Sequence, residues 1–302
     1  MPIAAPTGSG PLRWQADGVS LAVGALAACL ASAFYNTGLL LQAEASRREP
    51  VSVAFAAGLL VRLVQRRRWL TGSAIAILGW PLQAFALTRA PLTVVQPLLA
   101  VGLIIPLAFG KRMLGDHLHW RDVLNIGVLV TGASLLVALA PPRSNVTGIS
   151  FQLAIALALL ATAVVCASLL AALVGHRRGL MLILAAGVGF ALASVTTKLL
   201  ADAFSRQEWA AFAIWLAGTA AAGGVALIGE MNALQISAAS TVAALVLALE
   251  TIVPVTLAPF LFGETAGGSA SSIVLRTGAL AMTICAAIVL TRTRPVVEAL
   301  AD

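Results

Sequence analysis

Residues 240–264 read STVAALVLALETIVPVTLAPFLFGE, an apolar run with one glutamate, Glu250, near its middle and Pro254 four residues on. A charge at bilayer depth costs roughly 2.5–3.5 kcal/mol on insertion scales and persists where it serves a purpose. Pro254 lacks the N–H that would bond the Glu250 carbonyl, so one residue offers both a carboxylate and a backbone acceptor. Residues 92–116, LTVVQPLLAVGLIIPLAFGKRMLGD, repeat the pattern 148 positions earlier. Thr93-Val94, Pro106 and Gly115-Asp116 match Thr241-Val242, Pro254 and Gly263-Glu264 at that constant spacing. Gly102 stands where the second copy has Glu250, so only one copy carries the charge.

The rest of the chain extends this duplication. Trp69-Leu70-Thr71-Gly72 is echoed by Trp215-Leu216-Ala217-Gly218, and Leu30-Ala31-Ser32 by Leu192-Ala193-Ser194. Of 302 residues, 60% are hydrophobic and 10% charged, against about 25% charged in soluble domains, which places the chain in the membrane. Nine stretches are apolar enough to cross as helices: roughly 18–42, 70–88, 92–114, 121–140, 149–174, 179–201, 209–229, 234–262 and 272–291. The first four correspond to the last four, with the fifth between them. Equivalent spans are separated by an odd number of crossings, so the two four-helix repeats run in opposite directions. Inverted repeats are a recurring plan of secondary transporters.

The expected architecture is therefore an all-α integral membrane protein. A tail (1–17) precedes the first repeat (18–140), which includes an interfacial segment at 44–68. A linker and the fifth helix (141–178) lead to the second repeat (179–291) and a tail (292–302). Residues 51–61 are too short to span and lie between Arg47-Arg48 and Arg66-Arg67-Arg68, which fits an amphipathic helix in the interface. Those five arginines are placed to meet anionic lipid headgroups, and the +7 net charge is assigned to lipid, with no nucleic-acid partner. With the N-terminus outside and the C-terminus cytoplasmic, thirteen of the nineteen basic residues fall inside and five outside, the positive-inside pattern of a cell or inner membrane. Cys29, Cys166 and Cys285 lie in apolar stretches and read as small packing residues, without disulfide or metal spacing.

At the two copies quoted above the chain resembles the drug/metabolite transporter superfamily, of the EamA-like kind. Ala90-Pro91-Leu92-Thr93-Val94-Val95-Gln96-Pro97, closing in Leu114-Gly115-Asp116, is similar to that superfamily's fourth-helix motif. Ala233-Leu234-Gln235 through Phe262-Gly263-Glu264 resembles its counterpart. Nine spans and an arginine-rich segment after the first look nearest to the magnesium-transporter-like branch, although Asp116 replaces the usual glutamate and no dense acidic cluster is visible. The resemblance implies a central cavity between the halves and alternating access without ATP.

Glu250 leads the candidates for a substrate or ion pathway, as a cation ligand or a proton carrier. Lys198 reads as a partner for Glu250, a counter-charge for an anionic substrate, or a side chain snorkelling to headgroups. Gln96 and Thr93 share a helix face beside Pro97, and Asn36, Gln83 and Asn232 are further polar residues in or near spans. Pro97, Pro106 and Pro254 are expected helix breaks. Two stripes of small residues, Gly24/Ala28/Ser32/Asn36 and Ala185/Gly189/Ala193/Thr197, suit close helix packing. No nucleotide-binding loop, zinc motif or catalytic grouping is present, so no enzyme activity and no cofactor is expected. Three functions stay open: a secondary transporter of a small metabolite or drug-like solute, with proton or cation coupling; a divalent-cation permease; and a membrane enzyme or structural partner. A homodimer is compatible with each.

Overall fold

Long apolar segments must satisfy every backbone N–H and C=O internally, and this chain does so with helices throughout. The computed structural model describes residues 11–49, 57–102, 104–105, 109, 120–139, 150–173, 178–237, 239–262 and 270–291. These form ten helices: α1 (Pro11–Arg47), α2 (Ala57–Leu63), α3 (Arg67–Arg89), α4 (Leu92–Val101), α5 (Trp120–Ala138), α6 (Phe151–Leu173), α7 (Arg178–Ser205), α8 (Trp209–Ile236), α9 (Ala239–Phe262) and α10 (Ala270–Thr291). No strand occurs among the described residues.

Six stretches are long and apolar enough to cross a membrane: Val19–Ser46, Arg67–Arg89, Phe151–Leu173, Gly179–Ser205, Trp209–Ile236 and Leu245–Phe262. The other three expected spans coincide with helices α4, α5 and α10, which do not reach that standard among the described residues. Pro106, Gly115-Asp116, Gly263-Glu264 and the tail from 292 lie outside the described residues. Pro97 and Pro254 sit inside α4 and α9, which continue past them. Each removes one intrahelical hydrogen bond, and packing by neighbouring helices carries the helix through.

The helices pack in two parallel patterns. The most extensive contacts are α1 with α3 and α7 with α8, while α4 lies against α1 as α9 lies against α7. Across the middle, α3 meets α7, α1 meets α8, and α4 meets α9; α5 and α10 pair at the other end. The small-residue stripes make this approach possible, because Ala28, Ser32, Asn36, Ala185, Ala193 and Thr197 are all buried. At one point the α1 and α3 backbones touch. A Cβ on Gly38 would lie 2.5 Å from the Gly72 carbonyl oxygen, and one on Gly72 would lie 2.7 Å from that of Gly38. Gly38→Leu is therefore expected to lower stability by about 1–3 kcal/mol through overpacking. Gly224→Leu, where nothing lies within 4 Å, should leave the thermal midpoint unchanged. Size-exclusion profiles after graded heating check the contrast.

The turn between α7 and α8 bears the marks of a membrane surface. Phe204, Trp209 and Phe212 pack with ring centroids 6.0–6.2 Å apart, an aromatic cluster of the kind that settles at headgroup level. Beside it Arg206 donates two hydrogen bonds to Glu208, which hold the Glu208 carboxyl below the usual carboxylate range.

The segment after α1 is tied down by ion pairs. Arg66 donates to Glu49 at 2.6 Å, with Arg62 3.6 Å from the same carboxylate. Arg48 and Arg68 both bind Glu44. In α2, Leu59 and Leu63 are fully buried, while Val61 and the Arg62 side chain are exposed.

One expectation about packing fails. Cys29, Cys166 and Cys285 are exposed on the outer faces of their helices, because that surface is apolar throughout and accepts cysteine as readily as leucine.

Candidate functional site

A cavity of about 690 Å³ opens between the two packing patterns, lined by α1, α3, α4, α7, α8 and α9. Small-molecule sites span about 300–1,000 Å³, so this one has room for a drug-sized ligand. Glu250 lines it from α9 and receives a hydrogen bond from Ser194 Oγ at 3.2 Å. Asn36 and Gln83 line it too.

The helices supply the geometry. Ser194 lies two turns after Gly187 on the same face of α7, and a Cβ on Gly187 would lie 2.6 Å from Leu249 of α9, so α9 comes close enough there for the serine to reach the carboxylate. The first half makes the equivalent contact with a different outcome. There Ser32 Oγ donates to the Leu99 carbonyl, and a Cβ on Gly102 would lie 2.1 Å from Ser32 Oγ and 2.3 Å from Asn36 Nδ2. The sequence-matched pairs Ser32/Gly102 and Ser194/Glu250 thus both meet. Gly102 has no room for a side chain, whereas the α7–α9 contact leaves space for a carboxylate.

A second carboxylate shares the cavity. Glu230 projects from α8, is 6% exposed, and forms no hydrogen bond or ion pair with the described residues. The apolar stretch predicts a helix ending at 229, but α8 continues to Ile236 and carries Glu230 and Asn232 inside the protein. Met231, the next residue, anchors this turn: the Trp69 indole N–H and the Ser46 hydroxyl each donate to its sulfur at 3.4 Å. Residues of α1 and α3 so fix the α8 turn that bears Glu230.

The wall's neutral polar groups are mostly engaged with one another. Tyr35 donates to Gln83 at 2.7 Å, Gln42 to Ser73 at 2.9 Å, and Thr219 to Thr196 at 2.9 Å. Trp80 donates to Thr197 at 3.3 Å, linking α3 to α7 across the cavity. Among the described residues no lysine, arginine or histidine lines the cavity.

Other expected site residues lie elsewhere. Lys198 is wholly buried and pairs with Asp202 at 2.9 Å, one turn along α7. It is neither a partner of Glu250, nor a cavity residue, nor a snorkelling side chain, because a neighbouring acid on its own helix neutralises it inside the protein. Asn232 donates to the Ile228 carbonyl of its own helix, and Thr93 and Gln96 do not line the cavity. The Gln96 side chain is fully buried and its amide has no hydrogen-bond partner among the described residues. Among the described residues no three His, Cys, Asp or Glu side chains come together as a metal site.

An all-helical chain with six such apolar helices fits the class of multi-pass membrane proteins. No family model, characterised protein or solved structure matches the chain closely enough to extend that class to a particular family.

Proposed function

We propose that this protein is a secondary transporter of the drug/metabolite type, carrying a small solute through the cavity between its two halves by alternating access. The observation that carries the reading is a drug-sized, carboxylate-bearing cavity walled by corresponding helices of both halves. Buried carboxylates in a membrane protein mark substrate or ion pathways by default. The paired packing of α1–α3 and α7–α8, with the matched Ser32/Gly102 and Ser194/Glu250 contacts, supports two inverted repeats of four spans each. The N-terminus lies outside and the C-terminus in the cytoplasm, and the arginines flanking α2 face anionic headgroups. A divalent-cation permease is less well supported, since hard cations take six or more oxygen ligands and no three His, Cys, Asp or Glu side chains come together among the described residues.

Proteoliposome uptake across a panel of labelled ions and metabolites, with and without a proton gradient, tests transport; no uptake of any solute would refute it. Topology has its own test. Single cysteines at Arg67 and Ser144, in a background lacking the native three, should react with impermeant maleimide from opposite faces. Labelling of both from one face would remove the inverted layout.

A further inference from the structure

The cavity's leftover chemistry defines what it can hold. Its neutral hydrogen-bonding groups are largely spoken for: Tyr35, Trp80, Gln42 and Thr219 all donate to protein atoms. What remains is the second amide atom of Asn36, Gln42 and Gln83, a wall that is mostly carbon, and two carboxylates: among the described residues Glu230 has no hydrogen-bond partner and Glu250 has only Ser194. Four aromatic residues, Tyr35, Trp69, Trp80 and Phe190, stand in that wall. The polar edges of the first three are held by Gln83, Met231 and Thr197, so they offer the cavity ring carbon rather than hydrogen bonds. With no basic residue in the lining, an anionic solute would meet two acids and nothing to offset them. A neutral solute would gain apolar burial and hydrogen bonds but would leave the two carboxylates without a counter-charge.

From this we infer that the cavity binds organic monocations, an ammonium group joined to an apolar or aromatic body, with Glu250 and Glu230 as charge partners and the aromatic wall holding the body. Cation–π contacts strengthen when desolvated, and charge-assisted contacts to a buried carboxylate add to them. A bare metal ion fits less well, because among the described residues no three His, Cys, Asp or Glu side chains come together to hold it. The inference rests on the transport reading only for movement of the ligand; binding stands by itself.

Equilibrium dialysis of the full-length purified protein with labelled benzyltrimethylammonium measures the binding directly. Its carbon isostere, neopentylbenzene, has the same shape and no charge. The cation is expected to bind saturably and at least tenfold more tightly than the isostere. Glu250→Gln and Glu230→Gln should each weaken the cation and leave the isostere unchanged, and magnesium should not displace it. Equal binding of cation and isostere to the unmodified protein would overturn the inference without recourse to any variant. Absence of saturable cation binding would do so as well. Uptake assays on the same preparation separate the two readings. Cation binding without uptake of any solute refutes transport alone, and uptake of another solute without cation binding refutes the organic-cation site alone.

Discussion

Glu250→Gln is expected to abolish gradient-driven uptake while leaving the protein folded and monodisperse. The amide keeps the shape of the carboxylate and still accepts the Ser194 hydrogen bond, but it neither releases a proton nor pairs with a cation. A charge-assisted contact is worth about 1.5–3 kcal/mol. That corresponds to a loss of roughly ten- to 150-fold in affinity before any loss of coupling is added. The other ionisable groups of the cavity wall are Glu230 on α8 and Tyr35 on α1. The faces of α3, α4 and α7 that line it contribute none, so the effect has few competing sources. Uptake per folded molecule, measured with and without an imposed proton gradient, checks the expectation. Near-normal proton-driven uptake by the glutamine variant would reduce Glu250 to a structural residue.

The prominence of Glu250 was legible because a lone acid in an apolar run breaks the local pattern. Glu230 was not, and the reason is instructive. It follows Gly229 at the point where the apolar run gives way to Glu-Met-Asn, a change that resembles the end of a span. The helix continues because Met231, Ala233 and Leu234 are all fully buried, and the polar residues between them turn toward cavity and protein rather than water. The duplication held the clue: carrying the Trp215 copy as far past its tryptophan as the Trp69 copy runs to Arg89 reaches Gln235, beyond Glu230. Apolar patterning located the helices well, since length and hydropathy set membrane spans directly. It located side-chain partners poorly, because burial beside an apolar neighbour and burial beside a cavity look alike in sequence. Gln96 and Thr93 illustrate this: their polarity in α4 was plain, yet it lies away from the cavity. The cysteines erred the other way, since a lipid-facing surface carries no polar signature to distinguish it from a core.

Lys198 offers the sharpest test of partner assignment. Both its side chain and that of Asp202 are wholly buried, four residues apart on α7, with nitrogen and oxygen 2.9 Å apart. Taking one member from a buried pair costs up to about 3–5 kcal/mol, of which the attraction between Arg206 and Asp202 offsets a part, whereas replacing both by apolar residues of similar volume is often neutral. Lys198→Met is therefore expected to lower the thermal midpoint and the folded yield severely. The double substitution Lys198→Met/Asp202→Leu should recover much of that loss. A residue whose role is to meet substrate or Glu250 would behave differently: Lys198→Met would remain stable and lose uptake, and the second substitution would rescue nothing. Heating profiles of the three variants in detergent, read beside uptake per folded molecule, separate the two. Recovery of stability in the double variant, with uptake retained, would establish the pair as a structural clamp on α7 behind the cavity wall. A stable single variant with lost uptake would return Lys198 to the solute pathway.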